Sequence, residues 1–307
     1  TLSTLNTDPV QLKDGNTIIA TYATVQDAMD ALSNGDVTAN SAFIETTGSS
    51  DGFFYVVEGM SIQAALDASS DGDTILVGDG TYAESVIVQT SVTLQSENGR
   101  GATTIDGQDT GPLGAIEIDP NTDNVTIDGF TVLGLNGNGA IEKSAVYIQG
   151  NNDALTIINN DIVARGDAGL QSEYAGAVTN TLIDGNIFSG QTFVGANPEG
   201  FGFSTQFNVG NNVPRQLVVM GNGGSGGQAS NNITFTNNEI TGTAGGLNVG
   251  GQEQGNTLVT IDAQDSTISD NTFTGETARY ATGIRARGEN TDIENNSFDN
   301  SSGGDTR

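Results

Sequence analysis

The chain has 307 residues, of which 38 are Asp or Glu and only 9 are Lys or Arg, a formal charge of −29. It contains no His, no Cys and no Trp. The charge balance excludes a phosphate-binding groove, which needs clustered cations, and works against docking on an anionic membrane. The missing side chains exclude His/Cys zinc sites, Ser-His-Asp triads, thiol nucleophiles and a disulfide framework. Apolar residues at 35% and 43 Gly support a core rather than a disordered acidic tail. No apolar run reaches membrane-spanning length. Thr1 stands where an initiator Met would, as expected of a processed or excerpted chain.

In chain order, residues 1–16 read as an extended arm. Residues 17–58 read as a small N-terminal subdomain. Within it, Val25-Gln26-Asp27-Ala28-Met29-Asp30-Ala31, with Ser33-Asn34-Gly35-Asp36, weakly repeats the stretch from Ile62 to Asp73. Between Ser61 and Ser69, a helix would place Ile62, Ala65, Leu66 and Ser69 on one face. Asp71 and Asp73 would shape the turn after it. Residues 59–307 form the main body, and they repeat.

Val125-Thr126-Ile127-Asp128-Gly129-Phe130-Thr131-Val132 recurs as Leu155 to Ile162, Thr181 to Phe188 and Ile233 to Ile240, with further copies ending at Phe273 and Phe298. The closing apolar positions are 30, 26, 52, 33 and 25 apart, and the 52 reads as two coils of 26. Apolar and polar residues alternate inside each copy, which is strand periodicity. One such unit cannot bury its apolar face alone, so copies must stack, about 4.8 Å apart. Stacking would place Asn160, Asn186, Asn238, Asn271 and Asn296 in one internal ladder, broken by Phe130 in the first copy. The expectation is an all-β right-handed parallel β-helix, with about nine or ten coils between residues 58 and 300. Residues 191–230 interrupt the period. They hold Phe193, Phe201, Phe203 and Phe207, read either as a contact surface or as core of a hidden coil.

The repeat, together with Ser61 to Ala68, Asp71 to Val77 and Gly80-Thr81-Tyr82-Ala83-Glu84, resembles the secreted β-helix proteins of the pectate-lyase-like superfamily. The resemblance implies that the helix near 61–69 is an N-terminal cap over the open first coil, and that residues 17–58 are a degenerate cap-like unit. It implies a secreted or cell-surface location. It also implies a short menu of activities: lyases using Arg or Lys and often Ca²⁺, hydrolases with clustered carboxylates, methylesterases with paired Asp, and epimerases that rely on a His absent here.

Several residues are candidates for chemistry. Arg285 and Arg287 alternate with Ile284 and Ala286, so both should point outward, where paired guanidinium groups could grip a carboxylate. Arg165 and Lys143, in earlier coils, could fall on the same side. The alternative is that all four form salt bridges to neighbouring acids. Asp119, Asn121 and Asp123 have a D-x-N-x-D spacing that can converge on a hard cation, or simply make an Asx-rich turn. Thirty-eight acids against so few cations repel unless screened, so Ca²⁺ is expected as a stabilising ion. Asn124, Asn232, Asn295 and Asn300 begin N-x-S/T sequences. The nine residues after Phe298 carry no apolar side chain, so the last coil should expose Ile293 and Phe298.

The reading favoured by these features is a non-catalytic extracellular module: structural, adhesive or self-assembling. Its partners would be other copies, other surface proteins or a polysaccharide, with neither nucleic acid nor membrane insertion. One alternative is a polysaccharide lyase-like enzyme on uronate polymers, with Arg285 or Arg287 as base or clamp. The other is a phage-type receptor-binding spike.

Overall fold

The computed structural model describes residues 9–14, 17–34, 42–46, 52–108, 111–135, 143–165, 168–173, 176–190, 217–221, 230–241, 247–249, 252–254, 257–274 and 282–299. Four N-terminal strands come first: β1 (Val10–Asp14), β2 (Thr17–Tyr22), β3 (Ala42–Thr46) and β4 (Phe53–Val56). β1 pairs antiparallel with β2 and β3, and β3 antiparallel with β4. Part of the expected arm is therefore a strand, with Val10 and Leu12 fully buried. Helix α1 (Val25–Ser33) begins at Thr24, whose Oγ1 accepts the Asp27 amide at 3.1 Å. It packs on β1 and β2 through its apolar stripe.

Helix α2 (Ile62–Ala68) lies where the family resemblance implied a cap helix and buries Ile62, Ala65 and Leu66. The Ser61 hydroxyl accepts the Ala64 amide. Glu84 closes the rest of this end. Its carboxylate accepts the amides of Ile62 at 2.7 Å and Gln63 at 3.2 Å, and the Ser61 hydroxyl at 2.9 Å. An acid among the free amides of a first helical turn satisfies donors that would otherwise lack partners. The helix rests on β3, β4 and two strands of the first coil, and so plugs the open end of the core.

Beyond α2 the chain winds as a right-handed parallel β-helix. Each coil contributes one strand to each of three parallel sheets. In the fourth coil these are Thr156–Ile158 in sheet I, Asp161–Ala164 in sheet II and Ala168–Ser172 in sheet III. Among the described residues there are seven complete coils, from Thr74–Val77 onward, and the first two strands of an eighth. The expected nine or ten are too many, for a specific reason. Phe188 pairs directly with Ile240 and Ile183 with Phe235, so no coil lies between them. The 52-residue interval is one coil carrying extra chain. Val218–Gly221, inside the stretch read as an insertion, is that coil's sheet III strand, paired with strands on both sides. The extra residues are thus 191–216 and 222–229, and Phe193, Phe201, Phe203 and Phe207 lie outside the described residues.

The repeat stacks in the register its sequence implies. Ile105, Val132, Ile162, Phe188, Ile240, Phe273 and Phe298 form one row in sheet II, all buried except Phe298. The asparagine ladder is present at the turn between sheets I and II. Asn160, Asn186, Asn238 and Asn271 each donate their backbone amide to the Oδ1 of the next Asn at 2.9–3.1 Å. Each Nδ2 donates to a carbonyl of the preceding coil, such as Ile157 for Asn186. Phe130 heads the row, giving its amide to Asn160 Oδ1. The residue before each rung is left-handed, which Gly and Asn tolerate: Gly129 at φ 83°, Asn159 at 57°, Asn237 at 53°.

Candidate functional face

The longest connections in sequence run from a sheet II strand to a sheet III strand, as between Leu133 and Ser144 and between Gly190 and Val218. The inward rows of sheet III, including Val86, Ile116, Val146, Val218 and Val259, belong to the core. Between them runs an opposite row set by strand pairing: Ile87, Glu117, Tyr147, Gln171, Val219, Thr260 and Arg285. This outward row is unusually buried. Glu117 is 6% exposed, Tyr147 1% and Thr260 8%. Glu117 Oε2 accepts the Leu113 amide at 2.6 Å, and the Ser144 hydroxyl donates to Gln171 Oε1 at 3.0 Å. Thr260 Oγ1 is buried and finds no partner among the described residues.

The chemistry of this row is limited. One row supplies one group per coil, about 4.8 Å from the next. Hydrolysis of a glycoside needs two carboxylates about 5–9.5 Å apart, and this row contains a single carboxylate, Glu117. Arg285 is exposed at the far end of this row, where its guanidinium can hold an anion.

The four cationic candidates do not meet. Arg285 and Arg287 share the sheet III strand Thr282–Arg287, with Arg287 3.8 Å from Asp262. Burial pushes the Asp262 carboxyl above its usual range, and Arg287 pulls it partly back. Arg165 follows the sheet II strand of the fourth coil and bonds Asp106 Oδ1 at 2.5 Å. Lys143 opens the third coil's sheet III strand and donates to the Pro112 carbonyl at 2.6 Å. Four coils, roughly 19 Å, separate Lys143 from Arg285. Asp119, Asn121 and Asp123 make the turn from sheet III to sheet I. Asp119 Oδ2 accepts from Gln89 Nε2 at 2.6 Å, Asp123 Oδ1 accepts the Asp153 amide at 2.8 Å, and Asn121 is left-handed at φ 60°. Among the described residues no three acids gather as a metal site would require.

No family model matches the chain. A cell surface glycoprotein of Methanothermus fervidus is 33% identical over 103 residues, which is 33% of this chain and 15% of that protein. The chain thus spans a small part of this relative's length. The relative's name agrees with the secreted or cell-surface location expected from the sequence. An alginate lyase from Paenibacillus is similar in structure at 12% identity and a TM-score of 0.46, over 80% of this chain and 97% of that one. The alginate lyase AlyGC gives 13% and 0.48, over 85% and 41%. A pectin methylesterase gives 11% and 0.39, over 74% and 80%. These are proteins of the kind the sequence resembles, and the β-helix itself stands on the strand pairing above.

Sequence reasoning missed three residues. Glu84 belongs to a motif read only as a fold marker, and no spacing shows its carboxylate returning 22 positions to Ile62. Arg100 reaches 85 positions forward to the Gly185 carbonyl at 2.7 Å. It also moderates Asp161, whose carboxyl is pushed up mainly by burial and further by Glu239. Glu117 appeared as one acid among many, because nothing in the local sequence shows that its side of the strand is covered. The N-x-S/T sequences have a structural origin. Asn124, Asn232 and Asn295 are exposed left-handed residues, each followed by an inward residue and then a Thr or Ser of a strand: Thr126 and Ser297 open theirs, and Asn232 and Thr234 lie within Asn231–Thr236. The coil pattern writes that triplet by itself. Asn300 lies outside the described residues.

Proposed function

We propose that this chain is a non-catalytic structural module of a secreted or cell-surface protein, a stiff rod that spaces or presents other surfaces. The observation that carries this reading is where the polar groups go. Arg165, Lys143 and Arg100 are bound to groups of other coils, and the asparagine ladder joins coils four to eight in one line. Such bonds, some of them skipping a coil or more, stiffen a solenoid whose units otherwise contact mainly their neighbours. Ca²⁺ is part of the proposal as a stabiliser of the acidic rod as a whole. The test is incubation with alginate, pectate and other uronans, followed by ultraviolet absorbance of unsaturated ends and by reducing-end release. No product is expected. Product formation that disappears in an Arg285→Ala variant would replace this reading with the lyase one.

A further inference from the structure

A cleft of about 430 Å³ lies between helix α1 and the ends of three neighbouring sheet I strands. β4, Thr74–Val77 and Thr93–Ser96 run parallel, with Val56, Val77 and Ser96 aligned. Just beyond those residues the chain places Glu58, Asp79 and Glu97 in the lining, one acid after each strand. Met29 and Leu32, three apart and so on one side of α1, supply an apolar wall. The buried Tyr55 donates its hydroxyl to Glu97 Oε2 at 2.7 Å, and Asn98 Nδ2 donates to Asp79 Oδ1 at 2.9 Å. Both donors are neutral, so they leave the charges uncompensated. Among the described residues no cation reaches these acids. Lys13 pairs with Glu45, and Arg100, close beyond Asn98, turns away to the Gly185 carbonyl. Burial, and then Glu97, push the Tyr55 hydroxyl well above its usual range, so it stays a neutral donor.

We propose that this cleft binds a primary ammonium group on an alkyl stem, with Glu58, Asp79 and Glu97 holding the charge and Met29 and Leu32 covering the stem. Negative charge alone does not select the site, because acids are spread along the whole chain. The apolar wall facing the acids does. A hard cation such as Ca²⁺ needs about six or more oxygens at roughly 2.3–2.6 Å. Among the described residues no three acids gather in that way, and Met29 and Leu32 offer such an ion no oxygen. An alkylammonium uses both sides of the cleft. Its three N–H donors meet carboxylate oxygens, and its methylenes lie along apolar surface as a lysine stem does. The cleft is within the size range of small-molecule sites. Lys13 and Lys143 are both engaged inside the chain, so the ammonium comes from outside it. Two sources carry this chemistry: the lysine side chain of another protein, and a free alkylamine.

The proposal goes beyond the structural-module reading and does not depend on it, since the cleft is formed by the N-terminal strands and α1 whether or not sheet III is catalytic. The experiment is titration calorimetry of the full chain at fixed ionic strength. The probes are pentylammonium chloride, methylammonium chloride, pentanol and the peptide acetyl-Gly-Lys-Gly-amide. Pentylammonium is expected to fill one saturable site. Methylammonium lacks the stem and pentanol lacks the charge, so both should bind far more weakly. In Asp79→Asn and Glu97→Gln the carboxamide oxygen still accepts from Asn98 or Tyr55, so the charge is lost while the local bonds remain. Each should weaken pentylammonium about tenfold. Asp128→Asn/Asp184→Asn, on later coils, should leave binding unchanged. Met29→Ser, which shortens the apolar wall, should narrow the gap between pentylammonium and methylammonium. Thermal melts establish that each variant is folded. Tighter binding of the peptide makes another protein's lysine the source, and tighter binding of pentylammonium makes it a free amine; both support the proposal. Absence of a saturable site overturns it. Equal weakening by the distant pair would reduce the effect to general attraction by the −29 charge and also overturn it. So would calcium chloride filling one site that Asp79→Asn and Glu97→Gln abolish, since the cleft would then belong to an inorganic cation.

Discussion

The backbone amide of Asn186 donates to Oδ1 of Asn238 at 2.9 Å, across 52 sequence positions. The same Oδ1 accepts from Asn186 Nδ2 at 3.1 Å, and Asn238 Nδ2 reaches back to the Ile183 carbonyl at 3.0 Å. Both residues are about 1% exposed, so none of these groups has water as a substitute. Replacing Asn238 by Ala strands two donors of Asn186 and one carbonyl. The expected loss is about 3–5 kcal/mol in denaturant unfolding. Thr234→Ala, on the outward side of the same coil, is expected to cost under about 1 kcal/mol. Equal losses for the two would mean that the ladder contributes no more than a surface position.

Glu84 should behave as a helix cap rather than as a catalytic acid. In Glu84→Ala the amides of Ile62 and Gln63 lose their acceptor, at a cost of about 1–3 kcal/mol. Hydrogen exchange should show faster opening in α2 and the first coil, with the asparagine ladder unchanged. Uniform loss of protection along the whole rod would contradict a local cap.

Asp161 gives a pH test with a defined sign. Its carboxyl is raised chiefly by burial, with Arg100 partly offsetting this and Glu239 adding to it. The folded state therefore favours the protonated form. The ionised form is a burden that is absent below the unfolded-state pKa and grows as pH rises through the folded one. Asp161→Asn is expected to melt higher than the parent near pH 7, with the gap closing in acid below the ordinary Asp range. Arg100→Gln should widen the burden and melt lower near neutrality. A gap that persists unchanged into acid would assign the effect to packing.

Calcium should raise the melting temperature relative to EDTA at matched ionic strength. Binding to the folded chain alone is worth roughly 2.7 kcal/mol at a hundredfold excess over Kd. If Asp119→Asn/Asp123→Asn abolishes the calcium shift, the turn after Ile118 is the site. A shift that survives both substitutions places the ion elsewhere. No shift beyond that of monovalent salt leaves screening of the −29 charge as the whole effect.

The sequence by itself determined the local grammar of this protein. Alternation fixed which residues of each strand turn inward, the recurring Asn and Gly fixed the tight turn, and Ile62, Ala65 and Leu66 marked the cap helix. These features are legible because each is set by backbone geometry over a few neighbouring residues. Only the tertiary structure decided how many coils there are. A period counted along the chain cannot distinguish a hidden coil from chain that leaves and returns, whereas the pairing of Phe188 with Ile240 allows no coil between them. The fates of Glu84, Arg100 and Glu117 were equally hidden. A carboxylate or guanidinium carries the same charge whether it faces water, a helix end or a covered sheet. What distinguishes these settings is the neighbour brought in from tens of residues away, through stacking that no short stretch of sequence contains.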